Sequence, residues 1–217
     1  MKQVHDIWFP ESEQHFVEML GQTGGYQRDV FETAMNYVVS PKVFYDIGAH
    51  VGIWSLMAIK AGFREIYAFE PNPETFECLK KNLDNQPYNY RAYLSNYGVA
   101  EVKNIFMKVV ESKQGNTGAV KLEPNEKDYN AVVAPININH LHNEISRLKM
   151  RSHECLVKID TEGMEATCVL GMDKILYAYR PVVIVEQRTN EDALEILQKM
   201  GMIIKRQVRK DWVLAWS

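Results

Sequence analysis

The chain has little cysteine, three residues in 217. Cys78, Cys155 and Cys168 show no paired spacing. That excludes a disulfide frame and a cysteine zinc site, and it points to reduced thiols in a cytoplasmic protein. Apolar runs of the ~18 residues that span a membrane are also missing, so no membrane partner is expected. Residues 1–14 lack the charged-then-apolar pattern of a signal peptide. Neither sign of charge dominates. Twenty-five Lys and Arg stand against 28 Asp and Glu, a net charge of -3, which removes the electrostatic case for nucleic-acid binding. The mild basic cluster of Lys205, Arg206, Arg209 and Lys210 reads as a solvated hairpin edge. With 46% hydrophobic and 24% charged residues, the balance is that of an ordinary globular protein, of a length that suits one domain spanning 1–217.

What the chain does have is one dense stretch, Val43 to Glu70. An apolar run, Val43 to Ile47, carries an acid at Asp46 and enters a turn built on Gly48, His50 and Gly52. A helical pattern follows to Ala61, then a second apolar run, Glu65 to Phe69, closed by Glu70. This is a βαβ unit with a ligand-facing turn. The glycines let the backbone turn sharply and let a ligand approach closely. The spacing from the turn to Glu70 is near the ~20 residues of a nucleoside-binding unit, whose acid accepts hydrogen bonds from ribose hydroxyls. The turn does not match the Gly-x-Gly-x-x-Gly dinucleotide fingerprint, and an acid inside it suits a ligand with a cationic amino-acid end better than a pyrophosphate. It resembles the first motif of class I S-adenosylmethionine-dependent methyltransferases, with Glu70 as the second motif. In that class the adenine lies near the end of the third strand, which makes Asn96 a candidate contact.

Residues 1–42 read as a helical extension, with helices over Glu13 to Leu20, capped by Ser12, and Arg28 to Val39. After the βαβ unit, Pro73 to Leu83 has a helical pattern and Tyr88 to Leu94 a strand pattern. The βα rhythm breaks over residues 98–140, which read as a β-rich insertion; its Asn116 and Thr117 could line a substrate pocket but read more simply as turn residues. Leu141 to Met150 reads as a short helix. Further strands are expected at Cys155 to Ile159 and Val182 to Val185. A helix capped by Asn190 and a terminal hairpin complete the chain.

The two late strands end in acids. Asp160 closes the first, Glu162 follows in its turn, and Glu186 closes the second. In open α/β sheets this is the edge where ligands bind. Asp160 is the first candidate to orient or deprotonate an acceptor hydroxyl, with Glu162 and Glu186 beside it. The same oxygens suit Mg²⁺ or Ca²⁺, though no Asp-rich loop accompanies them, and no metal is assigned. Lys158 is expected to pair with one of these acids. His140, His142 and His153 read more simply as loop or surface histidines.

Four blocks together resemble the FkbM-type methyltransferase family: Asp46 to Gly52, Phe69-Glu70-Pro71, Lys158 to Glu165, and Arg180-Pro181 with Glu186. The resemblance implies an α/β class I fold, a seven-stranded mostly parallel sheet in the order 3-2-1-4-5-7-6 with helices on both faces. It implies S-adenosylmethionine as methyl donor, S-adenosylhomocysteine as product, and O-methylation of a sugar or other small acceptor. The cofactor contacts would be Asp46, Gly48, His50, Gly52, Glu70 and Asn96. His50 stands where the family commonly has Asn. Transfer to nitrogen and a non-catalytic cofactor-binding module are the alternatives; the oligomeric state is open.

Overall fold

A computed structural model of the chain describes residues 1–23, 26–84, 86–101, 105–111, 115–136, 150–186 and 192–217. The main sheet contains β3 (Val43–Ile47), β4 (Glu65–Phe69), β5 (Arg91–Ser95), β10 (Cys155–Ile159), β11 (Val182–Glu186), β12 (Met202–Val208) and β13 (Asp211–Trp216). Their spatial order is β5-β4-β3-β10-β11-β13-β12. Counted within the sheet, this is 3-2-1-4-5-7-6, the expected topology. Only β13 runs against its neighbours, β11 and β12.

The strands of this sheet's centre are buried along their whole length. Parallel strands covered on both faces carry continuous apolar runs, and these do. Side chains alternate between two cores. Tyr45, Ile47, Val157 and Val183 pack with Val169, Leu176 and Leu197 from the helices α5 (Glu165–Gly171), α6 (Asp173–Tyr179) and α7 (Asp192–Lys199). Phe44, Ile66, Leu156 and Ile184 pack on the other face with Phe31, Ile59 and Leu79 from α2 (Arg28–Met35), α3 (Ile53–Lys60) and α4 (Pro73–Leu83). Asp46 and Lys158, direct neighbours across β3 and β10, are polar exceptions inside these strands, as Glu65 and Glu186 are at strand ends.

Residues 98–140 do contain strands. β6 (Gly98–Val99), β7 (Ile105–Glu111), β8 (Val120–Pro124) and β9 (Ala131–Ala134) form a second sheet in the order β6-β9-β7-β8. The helix expected at Leu141 to Met150, His140 and His142, and the Asn190 cap all lie outside the described residues.

Three local readings are corrected. The first nine residues are not helical: β1 (Lys2–Val4) and β2 (Ile7–Phe9) pair as an antiparallel hairpin. The next helix, α1 (His15–Thr23), is not capped by Ser12; the Glu13 carboxylate accepts from the Phe16 N–H. The β5 strand begins at Arg91, because the Tyr90 hydroxyl turns back to donate to the Leu83 carbonyl at the end of α4. A side-chain bond to a helix terminus wins over strand propensity there.

Asn82 on α4 fastens the hairpin to the start of the βαβ unit. Its side chain accepts from Trp8 N–H and donates to the carbonyls of Trp8 and Val51, all at 2.7–2.9 Å. Replacing Asn82 by Ala strands these buried groups and is expected to cost about 2–4 kcal/mol. Urea unfolding of the two proteins measures it; a loss below about 0.5 kcal/mol would contradict the docked hairpin.

Candidate active site

The strand register lines the carboxyl ends of five strands, and the amino end of the antiparallel β13, into one row. Ile47 pairs with Phe69 and with Ile159, Phe69 with Ser95, and Ile159 with Val185. The next residue on each strand is therefore, in spatial order, Asn96, Glu70, Gly48, Asp160 and Glu186. Asp211 continues the row through its pairing with Glu186. Residues far apart in the chain meet because parallel strands all end on the same edge.

A cleft enclosing about 870 Å³ of open space lies over this row. Its floor is Gly48, Ala49, His50, Glu70, Asp160 and Glu162, and Gly98, Val99, Leu122 and Val133 of the second sheet form a wall. Phe16, Tyr26 and Thr117 close another side. Gly48 has φ +75, and a Cβ there would overlap the Asp160 carbonyl oxygen. Only glycine lets β3 and β10 end so close together. His50 is also left-handed, at φ 52. Asn and His tolerate that region better than most residues, so His can hold the turn where the family has Asn.

Glu70 is buried and organises the turn. One carboxylate oxygen accepts from Asn72 N–H and the Thr75 hydroxyl at 2.9 Å, and the other accepts from His50 N–H at 2.7 Å. Burial raises its pKa, and these donors hold it back. Asn96 is exposed and donates to the carbonyls of Glu70 and Pro71, 2.8 and 3.3 Å away. It buttresses Glu70 from outside the cleft rather than lining it.

Two other expected contacts also lie off the cleft. Asp46 is fully buried beneath the floor. One of its oxygens accepts from Ser55 at 2.6 Å; the other is 3.6 Å from Lys158 Nζ. Burial pushes the Asp46 carboxyl up, while Lys158 and Ser55 pull it down. Gly52 packs on Leu79 and Leu83 at φ +89, so its missing side chain serves helix packing. Lys158 donates to the Gly48 carbonyl at 2.7 Å and stands 3.6 Å from both Asp46 and Asp160. Burial opposes its charge, but the neighbouring carboxylates outweigh burial and raise its pKa.

Asp160, Glu162 and Glu186 do come together, with carboxylate oxygens all within 4.8 Å of one another. The turn carrying Glu162 is strained, with Glu162 at φ 55 and Gly163 at φ +106. Glu165 holds it: one of its oxygens accepts from Thr161 N–H, the Thr161 hydroxyl and Gly163 N–H at 3.0–3.3 Å. Each residue type in the Lys158 to Glu165 block thereby has a physical task. His153, by contrast, precedes β10 at the opposite edge of the sheet.

Four more residues enter the site from outside the motifs, among them Thr117, which the sequence offers as a turn residue that could line a pocket. Thr117 hydrogen-bonds His50 Nε2 at 2.7 Å and gives both its N–H and its hydroxyl to Glu13. With the threonine proton on Glu13, His50 must carry its own proton on Nε2. Burial holds the His50 pKa down at about 4, so the ring is neutral near pH 7. Phe16 covers the imidazole, 4.6 Å between ring centroids. Tyr26 stands against the carboxylates, which with burial raise its pKa far above the ordinary value. Asp211 extends the acidic row, and burial beside Asp160 pushes its carboxyl up to about 6. No motif spacing marks these residues; they arrive from α1, the segment before α2, the loop between β7 and β8, and the start of β13.

Residues 46–209 match the family model described as "Methyltransferase FkbM domain". The chain belongs to the FkbM methyltransferase family. Hexuronic acid methyltransferase AglP of Haloferax volcanii is 24% identical over 191 residues, covering 81% of this chain and 68% of that protein. A crystal structure of methyltransferase FkbM from Methylobacillus flagellatus superposes with TM-score 0.50 at 18% identity. It is matched over 82% of this chain but 44% of its own, so this chain spans less than half of that protein. Magnesium protoporphyrin IX methyltransferase from Synechocystis, solved with bound S-adenosylmethionine, gives 0.52 at 12% identity, over 95% of this chain and 86% of the other. These structural likenesses speak for the fold, that of class I methyltransferases. The FkbM family's cofactor is S-adenosylmethionine. Among the described residues no helix is long and apolar enough to cross a membrane.

Two outcomes are expected. Replacing Glu165 by Ala frees three donors in the strained turn and should cost about 1–2 kcal/mol in denaturant unfolding, with S-adenosylhomocysteine still bound. For Asp211, the native state holds its proton to about pH 6, whereas the ordinary aspartate value is 3.8. The native state thus binds the extra proton between these values, and stability falls as pH rises through that window. The Asp211→Asn protein lacks this slope. Its stability relative to wild type should improve by about 1–3 kcal/mol between pH 4 and pH 7, read by thermal or urea unfolding at each pH.

Proposed function

We propose that this FkbM family member methylates a hydroxyl oxygen of a sugar or similar small acceptor. The observation that carries the reading is the packing of Asp160, Glu162 and Glu186 within 4.8 Å at the edge of the cleft. An alcohol is a poor nucleophile, and a carboxylate held beside its proton is the help it needs. The hexuronic acid specificity in the name of the Haloferax volcanii relative supports a sugar acceptor.

The residues present fit the cofactor. Bare backbone at Gly48 and Ala49 and the Glu70 carboxylate line the cleft beside a slot walled by Pro71, Gly98, Leu122 and Val133. Glu70 would accept from ribose hydroxyls, the apolar slot would take the flat base, and His50 with the turn at Gly48 would hold the methionine end. When bound, S-adenosylmethionine supplies an electrophilic methyl group on a sulfonium. Asp160 would orient the acceptor hydroxyl and take up its proton, leaving the oxygen the better nucleophile. Glu162 and Glu186 hold neighbouring hydroxyls. Lys158, 3.6 Å from Asp160, fixes that carboxylate in place. Alignment of the reacting atoms at about 3–3.5 Å supplies much of the remaining rate.

The test is radiolabelled methyl transfer to a panel of hexuronic acids, hexoses and amines, with and without EDTA. Transfer to a sugar hydroxyl that resists EDTA and falls about 10²–10⁴-fold in Asp160→Asn is expected. S-adenosylhomocysteine affinity should stay within a few-fold of wild type. Transfer to amines alone, at a rate indifferent to Asp160, would end this reading.

A further inference from the structure

A second depression, larger and more open than the cleft, adjoins it on the far side of Tyr26. It encloses about 1360 Å³ of open space. One bank is formed by His15, Met19, Arg28 and Glu32 of α1 and α2, the other by Arg209 and Lys210 in the turn between β12 and β13. Glu186 and Asp211 lie at its inner end. Tyr26 lines both this groove and the cleft. The two spaces therefore meet at the carboxylate row: Asp160 and Glu162 face the cleft, and Glu186, within 4.8 Å of both, faces the groove.

We propose that this groove is the acceptor site, and that it takes a saccharide bearing a carboxylate, with its reactive hydroxyl reaching Asp160 past Tyr26 and its acid group at Lys210. The inference rests on the O-methyltransferase reading and adds where the acceptor sits and what class it belongs to. Charges of both signs line the groove, so it offers donors and acceptors together, as a hydroxyl-rich ligand requires. Most of its cations are already engaged. Arg209 grips Asp29 through two bonds of 2.5 and 2.8 Å, and Arg28 bonds Glu32 at 2.8 Å. Lys210 has no carboxylate within ion-pair distance among the described residues, and it is exposed at the groove's rim. A carboxylate on the ligand can therefore pair with Lys210 without displacing an existing partner. Tyr26 is the positioning residue at the junction. Its ring packs on Phe16, 4.8 Å between centroids, and its phenol stays protonated beside the acids, a donor for an acceptor oxygen.

The experiment is calorimetric titration of the full chain, saturated with S-adenosylhomocysteine, with glucuronic acid and separately with glucose. Turnover is not needed. Both sugars should bind, glucuronic acid more tightly. Lys210→Glu, at an exposed turn, should weaken glucuronic acid about fivefold or more and leave glucose unchanged. Glu32→Trp, which fills the groove from α2, should weaken both sugars. S-adenosylhomocysteine affinity should be the same in all three proteins, which also shows that the variants fold. Sugar affinities unmoved by either variant, or no sugar binding to the loaded wild type, would overturn the proposal. The O-methylation reading is judged separately, by the methyl-transfer panel: sugars methylated while these titrations are unmoved would leave that reading standing and place the acceptor elsewhere.

Discussion

The ammonium group of Lys158 is shared by the two strands that build the site. It sits in the sheet opposite Asp46, donates to the carbonyl of Gly48, and faces Asp160 two residues along its own strand. A lone buried cation would be costly, and so would either acid without it. Together they form a group whose members each need the others. Removing one partner of a buried pair commonly costs about 3–5 kcal/mol, because a charge is left behind. The turn at Gly48, the orientation of Asp160 and the joining of β3 to β10 all depend on this one cation.

From that centre the acidic character of the site spreads outward by register. Carboxylates ending three adjacent strands repel one another, and Lys158 and the backbone donors only partly offset this. The result is a row whose protons are held more firmly toward Asp211 and Tyr26 than in water. An edge of this kind favours groups that donate hydrogen bonds and repels an anion placed directly on it, which agrees with a hydroxylated acceptor whose acid group is held away at Lys210. The opposite end of the row is different. Glu70 is held by donors from His50, Asn72 and Thr75, so it stands as a rigid fixture at that end of the cleft.

The amino-terminal segment has a role beyond covering the sheet. Glu13 is fully buried, and it joins the start of α1 to Thr117 in the second sheet's loop and, through Thr117, to His50. Gln14 and His15 add backbone bonds to the Gly115 carbonyl. Gly118 gives the Phe16 ring its space, since a Cβ there would overlap the ring. The lead-in, the turn at Gly48 and His50 and the inserted sheet are thus one closed wall, and the cleft's shape is set by three segments that are distant in sequence.

The sequence by itself determined where the strands of the sheet lie, while their order was implied by the family resemblance. Continuous apolar runs mark buried parallel strands, and glycines and acids at their ends mark the ligand edge. It also brought Asp160, Glu162 and Glu186 forward as a group, because consecutive strands of such a sheet must end side by side. The tertiary structure decided which polar residues face the cleft. Asp46 reads as a ligand contact by motif, yet its side chain points down to Ser55 and Lys158; Gly52 and Asn96 likewise support the site from outside. Tyr26, Glu13 and Asp211 could not be read forward, since none belongs to a periodic or spaced pattern, and Thr117 was legible only as a turn residue that could line a pocket. Their positions follow from how the segments around α1 and before α2, the loop between β7 and β8, and the start of β13 pack across the strand ends. Local sequence encodes backbone period and turn chemistry, whereas the meeting of side chains from distant segments is set by packing of the whole chain.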